Sequence, residues 1–174
     1  MKFELQSVSQ ESIQRLKDRI EGNSVQLESV VQGIIKPYCE DLDKYVNFVA
    51  KCLQKGNTPP TNEELEDFCM NLSTCIYFAG GMCEYLGIKD DIAKAVYKEV
   101  YNTSRDSQSS GTVADKDSRA ALDSQEEQII SLCYTRAYKV MKSKVENAQE
   151  LLQSCKKVLS RRMQETELTR MGGA

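Results

Sequence analysis

The stretch TVADKDSRAALDSQEEQIISLCYTRAYKVMKSKVENAQELLQSCKKVLSRRMQETEL, Thr112 to Leu168, decides the fold class. It contains no proline or glycine, and none follows before Gly172. A polar run, Asp106-Ser107-Gln108-Ser109-Ser110-Gly111, leads into it. Thr112 or Asp115 is then placed to cap the first orphan amides. As one helix rising about 1.5 Å per residue, the stretch makes a rod of roughly 75–80 Å. Compact cores seldom need such length, so a coiled coil or an oligomer is expected.

The apolar seam of the rod is regular. Met141, Val145, Ala148, Leu152, Cys155, Leu159 and Met163 are spaced 4, 3, 4, 3, 4 and 4. Ile130, Cys133, Ala137 and Val140 lead in at 3, 4 and 3. A heptad-like seam calls for a partner helix. Ile130, Ala137, Met141, Val145, Ala148, Leu152, Cys155 and Leu159 are therefore the expected oligomerisation residues. Leu151 and Val158 widen the stripe, which favours a bundle over a bare two-stranded zipper.

Charge on the same stretch is lopsided. Between Ser131 and Met163 lie eight cations and two anions, Glu146 and Glu150, a surplus of six in a chain of net charge −3. At 100° per residue, Arg136, Lys139, Lys142, Lys156, Lys157 and Arg161 share a sector about 160° wide. Repeated around an oligomer, that sector would offer a basic strip to a polyanion. The plainer reading is a solvated face that keeps the rod soluble, and Glu146 and Glu150 within the sector favour it.

Composition narrows the class. The chain has 174 residues, 40% of them hydrophobic, with 7% aromatic residues, three prolines and no tryptophan. Few aromatics and few breakers favour an all-α helical bundle over a sheet. One folding unit is expected, with an N-terminal helical domain over residues 1–105, a linker over 106–111 and the long C-terminal helix over 112–168. The net charge gives no global bias toward nucleic acid, so such binding would need a local patch. Seven cysteines occur with no CxxC and no leader-like start, which reads as reduced thiols in a cytoplasmic protein. Histidine is absent, so neither a metal site nor a histidine-based catalytic triad is expected. No phosphate-binding or dinucleotide motif occurs, and no run is long and apolar enough to span a membrane. A protein without cofactor or catalytic residues, working by binding or assembly, is the expectation.

Taken in order, residues 1–8 read as loose, with Ser9 or Ser12 capping a first helix that stops or bends at Gly22-Asn23. A second helical region runs from Ser24 to about Lys55, with a kink or a joint near Lys36 because of Pro37. Gly56-Asn57-Thr58-Pro59-Pro60 breaks the chain, and Thr61 with Glu64 forms a capping box for a third helix reaching Gly87. Gly80-Gly81 within it suggests close helix packing or a mild bend. A fourth helix, from Ile88 to about Tyr101, carries Lys94, Tyr97, Lys98 and Tyr101 on or near its outer side. Lysines beside tyrosines can grip phosphates and stack bases, although interface tyrosines with solvated lysines give the same pattern. The tail after Leu168 is expected to fray.

Three segments together resemble a known family. Thr112-Val113-Ala114-Asp115-Lys116-Asp117, then Leu132 to Ala137, then Met141-Lys142-Ser143-Lys144 are similar to the C-terminal half of UvsY-like phage recombination mediators. Lys94, Lys98 and Tyr101 with Arg105 resemble the basic, tyrosine-containing segment that precedes it. The likeness covers about residues 90–160. It implies a small helical homo-oligomer in the cytoplasm of an infected bacterial cell. Such a protein binds single-stranded DNA and helps load a RecA-like recombinase onto strands covered by a single-strand-binding protein. It further implies DNA contacts at Lys94, Lys98 and Arg105 and assembly through the C-terminal helix. Residues 1–87 are longer than that pattern, and the cation spacing within 94–105 departs from it. A structural or adaptor protein of phage assembly, using the same helix for protein contacts, is the alternative.

Overall fold

In the computed structural model, residues 10–54 and 58–172 are described; the expected loose start, the candidate cap Ser9 and Gly56-Asn57 lie outside them. The described residues form an all-α bundle of four helices: α1 Gln10–Cys52, α2 Asn62–Ser107, α3 Val113–Asp123 and α4 Gln125–Gly172. Among the described residues there is no strand. Two capping boxes set helix starts. The Thr61 hydroxyl accepts from the Glu64 amide at 3.1 Å, and the Glu64 carboxylate accepts from the Thr61 amide at 2.7 Å. Thr112 and Asp115 repeat the arrangement at α3, so Thr112 is the cap and Asp115 the reciprocating acid. Those hydrogen bonds hold the Asp115 carboxyl below its usual range. Gly111 precedes them at φ +112°, a conformation open to glycine and strained for other residues.

Three long helices share one elongated core. Ile35, Cys39 and Leu42 of α1 meet Ala79, Cys83 and Leu86 of α2 and Ala137, Met141 and Ala148 of α4. Further along, Val49, Leu65, Phe68, Leu72, Leu152 and Cys155 continue the same layer. Asp43 reaches Lys144, while Asp90 reaches Thr135 and Arg162 reaches Pro60. α1 and α4 therefore run parallel, and α2 runs antiparallel to both. The α2–α4 pairing is the most extensive in the fold. α3 lies against the end of α2, where Tyr101, Ser104 and Arg105 face Asp117 and Asp123.

Several expectations are corrected here. The α4 seam finds its partner helices in α1 and α2 of the same chain. Ala137, Met141, Ala148, Leu152 and Cys155 are buried there, and Val145 and Leu159 are half-buried, so only Ile130 of the expected oligomerisation set stays exposed. The rod is also not continuous. Ser124, fully buried at φ −102° and ψ 14°, separates α3 from α4. Its amide and its hydroxyl both bond the Ala120 carbonyl, at 3.0 and 2.7 Å, and the Gln128 amide bonds the Ser124 carbonyl at 3.0 Å, so the break is confined to one residue's backbone angles. At the far end α4 continues to Gly172, past the expected fraying point.

The expected helix ends at Gly22-Asn23, near Lys36 and at Gly87 do not occur. α1 passes through Gly22-Asn23 and Pro37 as one helix. Gly33 and Pro37 are both exposed, so the carbonyl that loses its partner at Pro37 can turn to water. α2 passes through Gly87, whose role is packing: a Cβ there would meet the Tyr138 ring of α4 at 3.3 Å. At Gly80 and Gly81 a Cβ would meet nothing within 4 Å, so the close packing expected there occurs instead at Gly87.

This contrast has a measurable consequence. Gly33→Ala, in open space inside a helix, is expected to stabilise the protein by about 0.5–1 kcal/mol. Gly87→Leu must displace Tyr138 and is expected to cost about 1–3 kcal/mol. Urea denaturation followed by circular dichroism checks both signs.

Candidate nucleic-acid interface

The expected cations fall on two parts of the molecule. Arg136, Lys139, Lys142, Lys156, Lys157 and Arg161 are exposed on α4, with Arg136 bordering α1 and Lys157 bordering the groove against α2. Ala137, Met141, Ala148, Leu152 and Cys155 define the packed face of the same helical wheel, and the basic sector runs from its border at Lys156 round to the outer side. The strip has two clusters. Arg136, Lys139 and Lys142 form one; Lys156, Lys157 and Arg161 form the other, with about 20 Å of helix between Lys142 and Lys156. Glu146 and Glu150 occupy the gap. Arg161 is engaged by Glu165 one turn on, at 3.1 Å. Among the described residues, Arg136, Lys139, Lys142, Lys156 and Lys157 have no ion pair within the chain.

Two other α4 cations serve the fold instead. Lys144 points inward and bonds both oxygens of Asp43 at 2.7 and 2.8 Å, half-shielded from water. Arg162 donates to the Pro60 carbonyl and ties α4 to the start of α2.

The segment around Lys94 to Arg105 is largely committed to internal contacts. Asp90 is buried, and Lys94 at 2.6 Å together with the Thr135 hydroxyl satisfies its carboxylate. The hydrogen bond to Asp90 raises the Lys94 pKa. Arg105 pairs with Asp117 of α3 at 2.8 Å. Tyr101 turns toward Asp117 as well, and desolvation pushes its phenol pKa up. Tyr97 and Tyr101 are half-buried, their rings 6.3 Å apart, so neither is an outward stacking platform. Lys98 alone of the three basic residues in this segment is exposed and without an ion pair. Asp90 places Lys94 level with Thr135, hence beside the Arg136 end of the strip, whereas Arg105 sits over α3.

An aromatic platform does exist, at a place the sequence reading passed over. An open groove of about 900 Å³ runs between α2 and α4, with Tyr77 and Ile76 on one wall and Glu146, Glu150 and Lys157 on the other. Tyr77 is 78% exposed beside it. The signal was the adjacent pair Tyr77-Phe78 within an otherwise alternating helical pattern. Two consecutive aromatics cannot both face one core, and here both are exposed.

The thiols lie mostly inward. Cys39, Cys69, Cys83, Cys133 and Cys155 are buried, with Cys52 and Cys75 half-buried. Desolvation, reinforced by the hydrogen bond to Asp43, pushes the Cys39 thiol up to about 11. Burial likewise raises Cys69, Cys75, Cys83 and Cys155. These thiols are poor nucleophiles at neutral pH. No helix among the described residues is long and apolar enough to cross a membrane. Comparison with family models, with curated proteins and with solved structures gives no match to this chain.

Two measurements test the internal roles. Lys94→Met leaves the buried Asp90 carboxylate with Thr135 alone, so the urea midpoint is expected to fall, while Lys98→Met is expected to leave it unchanged. Cys39 gives an alkaline signature. At pH values below 9 its thiol is protonated in folded and unfolded chains alike; above 9 the unfolded chain loses the proton first. Stability is therefore expected to drop between pH 9 and about 11, with a shallower drop in Cys39→Ala.

Proposed function

We propose that this chain is a non-enzymatic protein that holds single-stranded DNA along the outer face of α4. Acting as a homo-oligomer, it helps load a RecA-like recombinase onto strands covered by a single-strand-binding protein. One observation carries the DNA part: Arg136, Lys139, Lys142, Lys156 and Lys157 stand exposed and free of intramolecular ion pairs, in a chain whose overall charge is negative. A net-acidic protein gains no general attraction to nucleic acid, so a local unpaired strip is where phosphates would sit. Tyr77 beside Lys157 supplies a ring on which a base can stack. The recombinase part rests on the resemblance over residues 90–160 alone. Lys94 and Arg105, being ion-paired, would contribute less to DNA than Lys98.

A second reading has its own support. The back of α2 carries large exposed apolar side chains, among them Phe78, Ile88 and Ile92, as a scaffold that contacts other proteins would. Under that reading the α4 cations serve solubility or an acidic protein partner.

Fluorescence anisotropy with an oligo-dT strand across a salt series separates the two. If five lysines and arginines neutralise phosphates, log K should fall against log salt with a slope of about −3.5. Lys139→Glu with Lys157→Glu should weaken binding at least tenfold without loss of helicity. Absence of binding at low salt removes the DNA reading, and partner capture that persists in high salt supports the scaffold.

A further inference from the structure

We propose that the outer face of α2 is a parallel homodimer interface, with the two α2 helices of a pair lying side by side as a short coiled coil. α2 carries two apolar stripes. One is the core face; the other lies opposite it and is largely exposed, with Tyr85 edge-on to Tyr38 of α1. Phe78, Gly81, Tyr85, Ile88, Ile92 and Ala95 recur at spacings of 3, 4, 3, 4 and 3. This is an a/d heptad seam. Phe78, Ile88 and Ile92 are 64%, 57% and 56% exposed, and Met82 and Val96 flank the seam, also exposed. A solvated helix face has no use for such a repeat.

Three observations select a second copy as the occupant. The first is charge. In a parallel pair, a residue just before an a position faces the partner's residue five positions on. Glu84 fills the first place and Lys89 the second, so each copy offers one half of two symmetric ion pairs. An antiparallel pair would set the Glu84 and Asp91 edge against its own copy. Glu84 makes no ion pair or hydrogen bond among the described residues. Lys89 stands over the Tyr85 ring, its nitrogen 4.7 Å from the centroid, with one proton donated to the Tyr38 hydroxyl and two still free.

The second is Gly81. It weakens α2 as any helix-interior glycine does, and no atom of the chain comes near enough to need it. At a d position it lets two backbones approach closely, as does Ala95. The third is area. The exposed apolar side chains with their polar rim offer on the order of 700–800 Å² per copy, near the roughly 800 Å² that a specific interface uses on each side. Glu99 falls at the next a position, where two copies repel and the seam ends. This inference stands independently of DNA binding.

Sedimentation equilibrium of the full chain tests it. A reversible dimer of twice 19.7 kDa is expected in the micromolar range, unchanged by Lys139→Glu with Lys157→Glu. Ile88→Glu with Ile92→Glu, both at exposed sites, should raise the dissociation constant at least 100-fold while the far-ultraviolet spectrum is retained. Glu84→Lys should weaken pairing about tenfold, and adding Lys89→Glu should recover it. A monomeric wild type at all concentrations overturns the proposal, as does a dimer indifferent to Ile88→Glu with Ile92→Glu. Failure of the double charge swap to recover pairing overturns the parallel register.

Discussion

The structure depends on one limit: three helices packed around a single line of side chains can each bury only one stripe. The core is correspondingly thin. Ala79, Ala137 and Ala148 sit between Ile35, Leu86 and Met141, and small residues let the three long axes approach. Further along, Cys155 and Val49 take the small places beside Leu65, Leu72 and Leu152. α4 meets this limit easily, since its second face is basic. α2 does not, because it is apolar on two opposite sides and the chain supplies neighbours on only one.

Apolar stripes do not fix how far one long helix slides along another, since a shift by a heptad loses little burial. Polar contacts between helices supply that information. Asp90 is buried and needs both Lys94 of its own helix and Thr135 of α4. Asp43 accepts from Lys144 and also from the Cys39 thiol, which joins α1 to α4. Sliding either pair by one heptad would strand a shielded carboxylate, which costs more than the hydrogen bonds themselves contribute. Gly87 against Tyr138 is the steric counterpart, one small residue matched to one ring.

The helical class and the buried stripe were legible because period and capping are local. Thr61 with Glu64, and the alternation from Ala137 to Cys155, say what they do without reference to the rest of the chain. What a breaker does is not local. Gly22 and Pro37 lie on exposed turns where the helix tolerates them, whereas Ser124, an ordinary helix residue by propensity, is the buried residue at which α3 and α4 part. The identity of a seam's partner is likewise a global matter. A heptad pattern states that a helix lies alongside, and only chain topology decides whose. Among the basic residues, Lys144 and Lys139 look alike in sequence; their different fates follow from Asp43 standing opposite one of them.

The outer faces of α4 and α2 are left over after packing, and each points away from the core that both share with α1. Pairing through α2 would then leave the α4 helix of each copy on the flank of the dimer. The two basic strips would then sit on separate flanks of the dimer. A two-fold axis along α2 makes those strips run in the same direction. Each edge alone holds few phosphates and binds weakly, but a strand that engages both, or two strands held at once, gains from effective concentration without any new contact. On this geometry the apolar face and the basic face are complementary devices. One gathers copies, and the other becomes useful in proportion to how many are gathered.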